Sequence, residues 1–126
     1  MKKNIIFYWS AGIILVVVAV WLLTVQASKP GKLDEFAKCL GEKGVTFYGA
    51  FWCQHCQNQK AIFGKSQKLL PYVECSTIDG KGQLQGCIDK EIKSYPTWEF
   101  KDGERMTGEI SLQNLSDKIS CELPKL

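Results

Sequence analysis

Phe51-Trp52-Cys53-Gln54-His55-Cys56 follows the apolar run Val45 to Phe51 and precedes a polar stretch with helical spacing. Two thiols three positions apart at a strand-to-helix junction describe a redox dithiol. In the first turn of a helix both sulfurs fall on neighbouring ground, and the free N–H groups and positive dipole end favour a thiolate on the leading sulfur, Cys53. Cys56 is then the resolving thiol. His55, when protonated, adds a second cationic influence that weakens the disulfide, so the site leans oxidising. The competing readings are half of a zinc site, which needs a second Cys or His pair at compatible spacing, and a structural clip. No second Cys-x-x-Cys is present, and no metal or other cofactor is expected.

Upstream, Ile5 to Val25 contains no charged residue and is long enough to cross a hydrocarbon core of roughly 30 Å as a helix. Lys2 and Lys3 precede it, which by the positive-inside rule leaves the amino terminus cytoplasmic and sends the rest across. Tyr8, Trp9 and Trp21 lie near its two ends, where amphipathic rings favour the interface. Residues 1–27 are therefore expected to be a membrane anchor. A cleaved signal peptide ending near Val25-Gln26-Ala27 is the alternative, although the apolar run exceeds the usual h-region. Residues 28–32 are a short polar linker, and 33–126 form one domain in the periplasm, lumen or extracellular space.

Six cysteines in 126 residues suit that compartment, where disulfides persist. Lys and Arg number 16 against 13 Asp and Glu, and two of the lysines precede the apolar run. The domain is thus nearly neutral, which argues against nucleic acid as a partner.

Along the domain, periodicity predicts a helix over 33–43, a strand over 45–51, a helix over 54–69 closed by Pro71, and a strand over 72–78. It then predicts a helix over 83–93, a strand over 97–100, a turn at Asp102-Gly103, a return strand over 105–110 and a last helix capped by Ser111. This order gives an α/β fold, a mixed central sheet with helices on both faces, preceded by one transmembrane helix.

The element order, the Trp52 that precedes Cys53 and Cys56, and Pro96 before a late strand resemble the thioredoxin superfamily. The resemblance implies that Tyr95-Pro96 is cis and lies beside the dithiol, where substrate chain is bound; Trp52 and Tyr95 are expected to line the substrate-facing surface, with core packing as the alternative for each. Tyr48 to Cys56, Pro71 to Ser76 and Ser94 to Phe100 look more closely like the thioredoxin-like domain fused to bacterial and plant homologues of vitamin K epoxide reductase. That likeness covers about residues 33–121. It implies a thiol-disulfide oxidoreductase that takes electrons from exported substrate thiols and passes them to a membrane reductase.

Two departures stand out. One apolar span replaces the reductase bundle, so the reductase is expected as a separate membrane partner of the vitamin K epoxide reductase type. Thioredoxins also place a buried carboxylate six positions before the first active-site cysteine, and that position here is Phe47. The resemblance further implies a structural disulfide between Cys75 and Cys87. Cys39 and Cys121, on the first and last helices of the domain, are expected to form a staple if the terminal elements pack on one side of the sheet, with free buried thiols or intermolecular pairing as the alternatives. Alternative functions are a reductase or isomerase of exported disulfides, as in apocytochrome maturation, and a non-catalytic metal-binding or interaction module.

Overall fold

A computed structural model describes residues 2–27 and 29–125, so Ser28 of the expected linker and the terminal residues Met1 and Leu126 lie outside the described residues. The chain divides into two units, 1–30 and 31–126. In the first, α1 (Lys2–Ala27) contains Tyr8–Val25, a stretch long and apolar enough to cross a membrane, with none of it buried against protein.

In the second unit, α2 (Asp34–Glu42), β1 (Thr46–Gly49), α3 (Gln54–Ala61), a 3-10 helix (Gly64–Leu69) and β2 (Tyr72–Glu74) are followed by α4 (Gln85–Asp89), β3 (Thr97–Glu99), β4 (Arg105–Thr107) and α5 (Leu112–Ile119). The strands form one mixed sheet in the order β2-β1-β3-β4. β1 runs parallel to β2 and antiparallel to β3, which is antiparallel to β4. The central strand therefore delivers its C-terminal end straight to the dithiol.

Alternation along β1 sends Phe47 and Tyr48 to opposite faces of the sheet. The Phe47 face packs with Phe36 and Leu40 of α2, Cys56 of α3, Trp98 of β3 and Leu115 of α5. The Tyr48 face carries Cys75, Cys87 of α4 and Ile92. Phe47 stacks on Trp98, its cross-strand partner, with ring centroids 4.4 Å apart, and meets Tyr72 edge-on at 5.2 Å.

Disulfides cross-link both faces. Cys39–Cys121 joins α2 to the segment after α5, and Cys75–Cys87 joins the end of β2 to α4. In a domain this small the core alone is modest, and chain-entropy arguments assign a long closed loop the larger stabilisation.

The elements are shorter than periodicity predicts, each for a local reason. The helix expected over 54–69 stops at Ala61, because Gly64 takes φ +54° and the chain resumes as a 3-10 helix. Phe63 anchors this break in the core, stacked against Phe36 with ring centroids 6.0 Å apart. β2 ends at Glu74, whose carboxylate accepts the Ser76 N–H and turns the chain toward the next loop. β4 ends at Thr107, before Gly108, which takes φ +89°. Helix α4 closes before Glu91, a non-glycine residue at φ +54°.

Candidate active site

Cys53 is the N-cap of α3, in extended backbone, and its Sγ accepts the Cys56 N–H at 3.2 Å. A free N–H of the first helical turn is thereby directed at the leading sulfur. The turn before it is closed by the Cys53 N–H donating to the Ala50 carbonyl at 3.0 Å and by Gln57 Nε2 reaching the Phe51 carbonyl at 2.6 Å. The Cys56 thiol points at Cys53 Sγ, 2.7 Å away, and neither sulfur is bridged. Cys53 retains 7% exposure and Cys56 none, so access is to the leading sulfur. Burial, and then the hydrogen bond to Cys53, push the Cys56 thiol up to about 12.

His55 is largely exposed, and its Nδ1 lies 2.6 Å from Glu109 Oε1. Asn58 Nδ2 donates to the same oxygen at 3.1 Å. These contacts, the His55 one first, hold the Glu109 carboxyl below its ordinary value. One turn further on, buried Gln59 makes a reciprocal pair with Ile110: its Oε1 accepts the backbone N–H at 2.6 Å and its Nε2 donates to the carbonyl at 3.0 Å. Helix α3 is thus fastened to the segment after β4.

Trp52 is more than half exposed. Its indole N–H donates to Ser76 Oγ at 2.9 Å, and its ring meets Tyr95 edge-to-face at 6.1 Å. The Tyr95 hydroxyl accepts from Gln83 Nε2 at 2.7 Å, and the Tyr95-Pro96 peptide bond is cis. Trp52, Tyr95, Gln83 and the Gly80-Lys81-Gly82 turn line an open groove of about 440 Å³.

Sequence reasoning did not single out Lys60, Tyr72, Glu74 or Glu109. Glu74 binds the Phe51 and Ser76 N–H groups through Oε1, at 3.2 and 2.9 Å, and accepts the Tyr72 hydroxyl through Oε2 at 2.8 Å. Lys60 Nζ sits 3.3 Å from the centroid of the Tyr72 ring. A glutamate closing an otherwise apolar strand was the available signal. Among the described residues, no group of three or more His, Cys, Asp or Glu could hold a metal ion.

A mixed four-stranded sheet, a dithiol opening the helix after its central strand, and a cis-proline before β3 define a thioredoxin-like fold. No protein-family model matches the chain. The chain is similar to the thiol-disulfide oxidoreductase LTO1 of Arabidopsis thaliana, at 45% identity over 92 residues. The match covers 69% of this chain, and the chain spans about a quarter of that relative's length, 24%.

Proposed function

We propose that the chain is a membrane-anchored, extracytoplasmic thiol-disulfide oxidoreductase that oxidises substrate thiols and passes the electrons to a membrane reductase of the vitamin K epoxide reductase type. The observation that carries this reading is the asymmetry of the dithiol. Cys53 is reachable and receives a helix N–H, whereas Cys56 is sealed and held as a thiol. Similarity to a plant thiol-disulfide oxidoreductase supports the same chemistry.

Starting from the Cys53–Cys56 disulfide, a substrate thiolate attacks Cys53 Sγ, and the Cys53–Cys56 bond breaks as the new mixed disulfide forms. Cys56 leaves with the electron pair and takes up a proton. A second substrate thiolate then attacks the substrate sulfur of the mixed disulfide, releasing Cys53. The substrate has lost two electrons, the dithiol has gained them, and a membrane reductase removes them. An apolar helix near the amino terminus supports anchoring, which raises the effective concentration at a membrane partner without any new contact.

Trapping tests this. A Cys56→Ser variant in its native membrane is expected to accumulate mixed disulfides that disappear when Cys53 is also replaced. A folded Cys56→Ser variant that captures neither substrates nor a reductase overturns the proposal. Direction follows from the reduction potential: about −180 mV or higher supports oxidation, and about −270 mV supports reduction instead.

A further inference from the structure

Exchange at this dithiol requires Cys56 to lose and regain a proton, yet the position six residues before Cys53 is Phe47, sealed between Trp98 and Tyr72. We propose that Glu74, working through the Tyr72 hydroxyl, takes and returns the Cys56 proton within a notch that Gly49 opens beside the sulfur. This inference rests on the exchange chemistry proposed above and assigns its proton path.

The geometry begins at Gly49. A Cβ there would lie 3.0 Å from Cys56 Sγ, 3.3 Å from the Tyr72 hydroxyl oxygen and 2.8 Å from Tyr72 Cε2. The sulfur and the hydroxyl thus flank the space that any larger residue would fill. From the hydroxyl the path continues to Glu74 Oε2 at 2.8 Å. The other carboxylate oxygen accepts from two backbone N–H groups, which fix the carboxylate with Oε2 toward the hydroxyl. Lys60, over the Tyr72 ring, supplies the compensating positive charge. Burial lowers its pKa while Glu74, Cys56 and Cys53 oppose that shift, and its charge in turn favours the Cys56 thiolate. The titratable groups around this path are Cys53 and Lys60 from the active-site helix, Tyr72 and Glu74 from β2, and Tyr95 from the segment before β3.

In the resolving step the Cys56 S–H, which points at Cys53 Sγ at rest, turns across the Gly49 notch and gives its proton to the Tyr72 oxygen as the Tyr72 proton passes to Glu74. The Cys56 thiolate attacks Cys53 Sγ, the Cys53–Cys56 bond forms, and the bond from Cys53 to the substrate breaks, with the substrate sulfur leaving as thiolate. In the oxidising direction the same groups return a proton to departing Cys56. Proton and electron pair are both accounted for without a further reactant.

The full-length reduced protein in detergent, mixed with dithionitrobenzoate in a stopped-flow instrument, separates the two thiols. The first nitrothiobenzoate reports attack by Cys53 and the second reports attack by Cys56 on the resulting mixed disulfide. Glu74→Gln and Tyr72→Phe are each expected to leave the first phase unchanged and to slow the second roughly 100-fold near neutral pH, the low end of general acid-base effects. The second phase should also lose its neutral plateau and climb steadily into alkaline pH. An unchanged second phase in both variants overturns the proposal. So does equal slowing of both phases, which is what mere loosening of the Phe51 turn would produce. Absence of the first phase in the unsubstituted protein defeats the exchange reading itself.

Discussion

The His55 ring and the Glu109 carboxylate, 54 positions apart in sequence, meet at 2.6 Å beside the first turn of α3. Because the contact lowers the Glu109 pKa, the stabilisation it gives is present above the ordinary carboxylate value and is lost as pH falls through the lower folded value. Carboxyl carbon shifts of Glu109 in a pH titration should show a midpoint below 4.5 that moves up in His55→Ala. An identical midpoint in both proteins would show that the contact is not formed in solution.

Replacing His55 also bears on the dithiol. Loss of the ring beside the pair removes one polar influence favouring thiolate, so His55→Leu should make the disulfide harder to reduce, lowering the reduction potential by about 30 mV, equivalent to about 1.4 kcal/mol. Equilibration of the full chain against glutathione measures this. A potential that stays put or rises contradicts the assignment.

Cys56 should behave as a poor nucleophile until alkaline pH. With its thiol pushed up to about 12, chiefly by burial, brief alkylation near neutral pH is expected to label Cys53 alone, as peptide mass mapping would show. The folded pKa exceeds the ordinary 9.0, so the reduced domain keeps this stabilisation below pH 9 and loses it progressively above. Melting temperature should therefore fall more steeply above pH 9 in the reduced protein than in Cys56→Ala. Lys60→Gln removes a charge that favours the thiolate and should move Cys56 ionisation, followed by ultraviolet thiolate absorbance, to still higher pH.

Gly49→Ala should be costly although the residue is small. Its Cβ would meet Tyr72 Cε2 at 2.8 Å and Cys56 Sγ at 3.0 Å, contacts that force the strand or the ring to move. A loss of about 1–3 kcal/mol in denaturant unfolding is expected for such overpacking. Unchanged stability would mean that the notch is looser than these distances describe.

Removing the Cys39–Cys121 bridge, which spans 82 positions, by a double Ser substitution should destabilise the domain by about 4.5 kcal/mol on the chain-entropy scale. Removing Cys75–Cys87, which spans 12 positions, should cost about 3 kcal/mol. Urea unfolding of each variant tests the order, and a larger loss from the shorter loop would reverse it.

Much of this fold was legible because its signals are local. The apolar run to Phe51, the Cys53 and Cys56 spacing and the turn at Asp102-Gly103 each specify structure within a few residues. Element lengths were less legible. Gly64 and Gly108 act through left-handed backbone that periodicity does not register, and Phe63 ends its helix by packing on Phe36, a residue 27 positions away. The candidate site divides in the same way. Its thiols were visible from spacing, whereas Glu74 and Glu109 act through contacts made only after β1, β2 and the segment following β4 come together. Gly49 was hidden for a related reason: its importance lies in space it leaves empty for Tyr72 and Cys56.

The Cys39–Cys121 bridge also sets an order of events in biogenesis. Its two halves are separated by 82 positions, so in a chain synthesised from the amino end Cys39 is present long before its mate. Cys53, Cys56, Cys75 and Cys87 all arrive in the interval. Correct pairing must therefore outrun four wrong ones, two of them with the very thiols that stay unbridged in the folded domain.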